Sequence, residues 1–327
     1  MSDNTRALTC AHPPHACPFM PTRAPLSPVT EPAPTLMPAL PIPAPRAEGF
    51  STSTSLPLYW REDGPPNASP LVLLHGGPGA HHDYLYPQCL ELAQTHRLIT
   101  YDQRGGGQSK SDDRTSITWR TQVDDLAQLI TEFNVGSLNL VGYSWGGLLS
   151  MLYAIQAAEN SALPSVENLI LISPAPITRS WRNDFERNLI ERQRSPLIER
   201  MRAELNASGL REQDYSSYKQ RAFELSVAGY FADPHRAASL TPFRVTGRVQ
   251  QSIWESLGDF DLREQLGAVR TRVLVVHGRQ DPIPLASAEA AAEALRGEFV
   301  VLDDCGHVPY VEQPQALFSS IESFLRK

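Results

Sequence analysis

The chain has 327 residues, is 41% hydrophobic and carries a formal net charge of −7. That length allows one large α/β domain with a smaller insertion. The acidic balance argues against a nucleic-acid surface, and no apolar run approaches the roughly 20 residues that span a bilayer. Four scattered cysteines, Cys10, Cys17, Cys89 and Cys305, form no disulfide framework and point to a reducing, cytoplasmic setting.

Residues 1–47 read as a disordered Pro-rich arm. The first 45 hold 12 of the 28 prolines. They lack a periodic apolar face to bury, and proline cannot donate to a strand ladder. No continuous apolar core marks a secretory signal. Met20 and Met37 offer alternative starts. Cys10, His12, His15 and Cys17 are the side-chain types that bind zinc, but the chain around them offers no fold to fix them. No metal and no cofactor are therefore expected.

From Phe50 onward strands and helices alternate. Apolar runs at 56–62, 70–75, 97–102, 138–142, 167–173, 272–278 and 299–304 are continuous in Val, Ile and Leu. That is the mark of strands buried on both faces of a parallel sheet. Helical spacing covers 117–133, 145–158, 285–296 and 313–326. The pattern predicts an α/β fold with a doubly wound, mostly parallel sheet, its core made of 48–176 and 263–327. Between 177 and 262 the alternation stops. This stretch is rich in Arg, Glu and Gln, with a few aromatics: Trp181, Phe185, Tyr230, Phe231 and Trp254. It reads as a helical cap over the carboxyl edge of the sheet, where such sheets bind ligands.

The chemistry begins at "LVGYSWGGLLSMLYA", 140–154. Gly142, Ser144 and Gly146 sit between a strand and a helix, in the pattern of a nucleophile elbow. The turn is tight enough that side chains at the flanking positions would clash, and glycine removes the clash. A serine nucleophile needs a base, an orienting acid and an oxyanion hole. In chain order the acid precedes the base. Asp281 follows the strand in "VLVVHGRQDPIP" and His307 follows the last strand in "VVLDDCGHVPYVEQP". Asp303 and Asp304 are rival acids, but the acid must reach the far imidazole nitrogen. Asp102, ahead of "QRGGGQS", reads as a turn-holding residue bonded to backbone amides. The "LLHGGPG" loop at 73–79 supplies exposed amides after a strand. Gly77 and Trp145, the residue after the nucleophile, are the expected oxyanion donors.

Together "HGGPG", "YDQRGGGQS", "GYSWGG", "HGRQD" and "GHVPYVEQP" resemble the α/β-hydrolase fold, and more narrowly the proline iminopeptidase-type serine peptidases. The resemblance covers about residues 50–327. It implies Ser144 as nucleophile, Asp281 as acid and His307 as base, with the amides of Gly77 and Trp145 as the oxyanion hole. Gly76, Tyr143 and Glu224 are expected to contact substrate. The branch carries a cap glutamate just before a Tyr-Phe pair, to hold the substrate's free amine. Here that position is Val227, in "FELSVAGYFADP". Glu224, one helical turn earlier, is the expected substitute. Tyr143 stands where relatives often carry glycine and is expected to narrow the pocket.

The leading expectation is thus a cofactor-free serine hydrolase acting on short peptides. The alternative is a carboxylesterase or lactonase of small esters. A ligand-binding protein on the same scaffold is the remote one, since no triad member is lost. Ser144 argues against haloalkane dehalogenase or epoxide hydrolase chemistry, which places an aspartate at the elbow.

Overall fold

The computed structural model describes residues 40–136 and 138–327. The arm up to residue 39, with Cys10, His12, His15, Cys17, Met20 and Met37, lies outside the described residues. The strands are β1 (Ala47–Phe50), β2 (Tyr59–Asp63), β3 (Pro70–Leu74), β4 (Arg97–Tyr101), β5 (Leu138–Tyr143), β6 (Val166–Ile172), β7 (Arg272–Gly278) and β8 (Glu298–Leu302). The core helices are α1 (Trp119–Glu132) and α2 (Trp145–Glu159). The cap adds α3 (Arg179–Gln193), α4 (Pro196–Ala207), α5 (Leu210–Gln213), α6 (Tyr215–Val227) and α7 (Gly247–Leu257). After it come α8 (Arg263–Leu266), α9 (Leu285–Leu295), α10 (Pro309–Glu312) and α11 (Pro314–Leu325).

Sheet order is β1-β2-β4-β3-β5-β6-β7-β8. The first two pairings are antiparallel and all the others parallel. The apolar runs are continuous because both faces are covered. Val72, Leu140, Leu171 and Val275 point into one core with helices α1, α2 and α9. Their neighbours Leu73, Val141, Ile170 and Val276 point into the other, with α11 and the 3-10 turns between β3 and β4. Successive strand residues face opposite ways, so both faces select apolar side chains, and buried polar residues such as Thr100, Asn139 and Asn168 sit in the strands with hydrogen-bond partners.

Two differences from the sequence reading concern the start of the domain. Residues 43–47, read as the end of the arm, are engaged: Arg61 Nη2 donates to Pro43 O at 2.9 Å, the Arg46 amide donates to Glu62 O at 3.0 Å, and Ala47 opens β1. The strand itself was missed, because "AEGF" is too short and too polar to register as an apolar run. It is a sheet-edge strand whose burial alternates between half-buried and exposed.

The cap is closed at its base. Leu262 N donates to Ile177 O at 3.0 Å and Arg179 N to Phe260 O at 2.8 Å, with a bridge between Thr178 and Asp261. Among the described residues no helix is long and apolar enough to cross a membrane, and no cluster of three or more His, Cys, Asp or Glu is placed to hold a metal. Cys89 and Cys305 are buried free thiols.

His75, at the exit of β3, ties this architecture to pH. Its Nδ1 bonds Gly76 O at 2.8 Å, and Gln103 N donates to its Nε2 at 3.1 Å. Those partners require a neutral ring with the proton on Nδ1. Burial lowers its pKa from 6.5 to about 4. A native pKa below the unfolded value means that the unfolded chain takes up the proton first as pH falls. The stability from the neutral ring is therefore complete above about pH 6.5. It drains away towards pH 4, by roughly 3 kcal/mol in all. Urea melts at stepped pH should show this slope, and His75→Gln should flatten it. Equal slopes in both proteins would remove His75 as its source.

Candidate active site

The four parallel strands β3, β5, β7 and β8 all end at one edge of the sheet. The segments leaving them carry Gly77, Ser144, Asp281 and His307. Ser144 sits at the junction of β5 and α2 with φ 53° and ψ −117°. A non-glycine residue there stores roughly 1–3 kcal/mol of strain. The surroundings hold it: Ser144 N donates to Ile172 O at 3.0 Å, and Ala175 N donates to Ser144 O at 2.8 Å. The flanking glycines are forced by space. A side-chain carbon at position 142 would lie 2.4 Å from Gly146 O, and one at position 146 would lie 2.3 Å from Leu74 O.

His307 Nε2 is 3.0 Å from Ser144 Oγ. Its Nδ1 is 2.9 Å from Asp281 Oδ2 and 3.1 Å from Oδ1. The Asp281 carboxylate is fully buried. Burial by itself would raise its pKa, but the imidazoles of His307 and His277, with hydrogen bonds from His307 and Ile283 N, bring it below the usual carboxylate range. It is therefore ionised. Asp303 and Asp304 do not reach the imidazole; Asp303 is largely exposed and pairs with Arg279. Asp102 holds its turn: Oδ1 accepts from His82 N at 2.9 Å and Oδ2 from Gln108 N at 2.7 Å.

A cavity of about 330 Å3 lies between this edge and the cap, lined by Ser144, His307, Gly77 and Trp145 among others. Gly77 has φ +55°, which suits glycine. Trp145 opens α2, so its N–H has no acceptor within the helix. Its indole is fixed by Nε1 donating to Gln122 Oε1 at 3.0 Å. Tyr143 lines the cavity and also braces His307, its hydroxyl donating to His307 O at 3.0 Å.

Two expected substrate contacts are corrected. Gly76 does not line the cavity. Its N–H donates to the Tyr84 hydroxyl at 2.6 Å, and a side-chain carbon on it would lie 2.7 Å from Ser144 Cβ. It is glycine because the Ser144 side chain packs against it. Glu224 is buried on α6, away from the cavity, where it pairs with Arg221 and accepts from Gln220. Among the described residues the cavity wall carries one carboxylate, Glu186 of α3. Its side chain is half exposed and pairs with Arg182, whose guanidinium lies 3.9 Å from the Trp254 ring centroid.

Other contributors were legible only as cap composition. The Tyr230 and Phe185 rings lie 5.3 and 6.2 Å from the His307 ring. His307 N donates to Tyr230 O at 2.7 Å. Glu312, inside the quoted "GHVPYVEQP" stretch, accepts from Ala232 N at 2.7 Å and Gly306 N at 2.8 Å. The histidine loop is thereby tied to the cap segment that follows α6.

A family model described as the alpha/beta hydrolase fold matches residues 69–314. The chain belongs to the α/β-hydrolase fold family. Among curated relatives, this α/β hydrolase is 24% identical over 298 residues to a proline iminopeptidase of Clostridium botulinum, covering 86% of this chain and 98% of the relative. It is 26% identical over 281 residues to one of Lactobacillus crispatus, covering 79% and 90%. Among solved structures, a proline iminopeptidase of Mycobacterium smegmatis superposes with TM-score 0.61 at 19% identity, covering 86% of this chain and 98% of that one. An enol-lactonase of Burkholderia xenovorans superposes with TM-score 0.60 at 20% identity, covering 85% and 100%. The hydrolase fold and the likeness to the proline iminopeptidase branch, both expected from the motifs, stand.

Proposed function

We propose that this hydrolase cleaves short peptides from the amino end through a serine acyl-enzyme. The observation that carries the reading is the continuous run from Ser144 Oγ through His307 to ionised Asp281, opening into a capped cavity with a carboxylate on its wall. In this reading His307 takes the Ser144 proton as Oγ attacks the scissile carbonyl. The amides of Gly77 and Trp145 hold the oxygen that gains charge. The protonated imidazole then hands its proton to the leaving amine, and water repeats the sequence on the acyl-enzyme. The proline iminopeptidases among the curated relatives support the choice of an N-terminal residue as the group recognised. Proline itself is not singled out, since Val227 offers no charge where the branch carries its glutamate.

A substrate ammonium entering a capped cavity loses water and needs an anionic partner. Glu186 takes the role first given to Glu224. A charge-assisted hydrogen bond is worth about 1.5–3 kcal/mol, so Glu186→Gln should raise KM for aminoacyl-p-nitroanilides roughly tenfold or more. It should leave p-nitrophenyl acetate almost unchanged. Glu224→Gln should change neither. Equal effects on both substrate types would take the amine-binding role from Glu186.

The second reading, a hydrolase of small esters, is favoured by one observation: Arg182 already neutralises Glu186. Under it the same variant leaves all substrates alike, and the acetate ester is turned over far faster than any aminoacyl anilide.

A further inference from the structure

Tyr84 lies in the 3-10 turn His82–Leu85 after the HGGPG loop. It is 3% exposed and lines the cavity beside Ser144 and Gly77. Its hydroxyl oxygen accepts the Gly76 N–H at 2.6 Å. A side-chain carbon built on Gly76 would sit 2.9 Å from that hydroxyl and 2.7 Å from Ser144 Cβ. The hydroxyl and the nucleophile's side chain thus flank one point on the loop that supplies the Gly77 amide.

A tyrosine hydroxyl donates as well as accepts. No described residue accepts the hydrogen of Tyr84. Burial holds the proton on the phenol, with its pKa far above the ordinary value. A buried donor without a partner costs about 1–3 kcal/mol, and phenylalanine would fill the same apolar space against Phe243, 4.5 Å away between ring centroids. The remaining partner is whatever occupies the cavity. The Gly76 N–H bonded to the phenol oxygen also polarises the O–H, since chained hydrogen bonds strengthen one another.

We propose that Tyr84 is a third donor to the reacting oxygen, working beside the amides of Gly77 and Trp145. This rests on the acyl-transfer reading of Ser144. As Ser144 Oγ bonds to the carbonyl carbon, the π pair of the C=O moves onto oxygen and the serine proton goes to His307. Tyr84 keeps its own proton and directs it at that oxygen. When the intermediate collapses, the C=O re-forms and the leaving group departs with the proton from His307.

The test uses tyrosine fluorinated on the ring at position 84 in the full-length protein. Fluorine makes the phenol a stronger donor and a weaker acceptor, so the two roles of this hydroxyl move in opposite directions. Wild type, 3-fluorotyrosine and 3,5-difluorotyrosine forms are compared on p-nitrophenyl acetate at about pH 7, where burial keeps the phenol protonated. Labelling of Ser144 by a fluorophosphonate is followed in parallel. Donation to the reacting oxygen predicts that kcat rises with each fluorine while KM stays put. Tyr84→Phe should lose about 10²-fold in kcat. A flat or falling series, with Ser144 still labelled, would show that Tyr84 serves the Gly76 amide alone, and the proposal is overturned. No labelling of Ser144 in the wild type would bring down the acyl-transfer reading, and this inference with it.

Discussion

Ser144→Ala should lower kcat by about 10⁶-fold and abolish labelling by a serine-directed fluorophosphonate, which should otherwise add one group per chain. The size of the effect follows from the geometry. Ser144 Oγ is the atom 3.0 Å from His307 Nε2, and its strained backbone holds it at the cavity wall. Removing one oxygen leaves the fold intact, because the bonds that hold the elbow run through the Ser144 backbone. The melting temperature should therefore stay near the wild-type value or rise. Labelling that survives in the alanine variant would place the nucleophile elsewhere.

The second large effect is expected at Asp281. Its Oδ1 accepts from Ile283 N at 2.8 Å, and both oxygens lie within 3.1 Å of His307 Nδ1. An asparagine has one oxygen to offer. Satisfying the buried Ile283 amide with it turns the NH2 group towards His307. Nδ1 must then accept, which puts the ring proton on Nε2 and leaves nothing to take the proton of Ser144. Asp281→Asn should cost about 10⁴-fold in kcat, the scale seen when a triad histidine is held in the wrong tautomer. Fluorophosphonate labelling should slow in proportion, while the melting temperature changes little. A near-normal rate would move the orienting acid to another residue.

Much of this was readable because the constraints are local. The elbow demands glycine at 142, where the Gly146 carbonyl is four residues away, and at 146, where the Leu74 carbonyl of β3 packs across the turn; both demands fall on one tight turn, so the motif survives as a pattern of letters. Strands buried on both faces demand unbroken apolar runs. Six of the eight strands were found that way, β2 was caught only by the apolar start of 56–62 because it goes on to Arg61, Glu62 and Asp63, and β1 escaped because an edge strand has no such demand. Once the strands are assigned, the chain order of Ser144, Asp281 and His307 follows, since each stands just beyond a strand exit and parallel strands share one exit edge.

The cap was a different problem. Glu224 and Glu186 are both glutamates on polar helices, and nothing within α6 or α3 says which carboxylate faces the cavity. That depends on how the cap helices dock, through contacts such as Arg182 on Trp254 and Tyr230 on the histidine loop, which join residues far apart in the chain. Gly76 was misread for a related reason: the sequence shows a loop glycine, but not that Ser144 Cβ fills the space its side chain would need. The residue types and the order of the reacting groups were set by the sequence, through short-range sterics and hydrophobic period. Which charges and hydroxyls reach the cavity was decided by long-range packing, where a side chain's direction depends on the neighbour that folding brings to it.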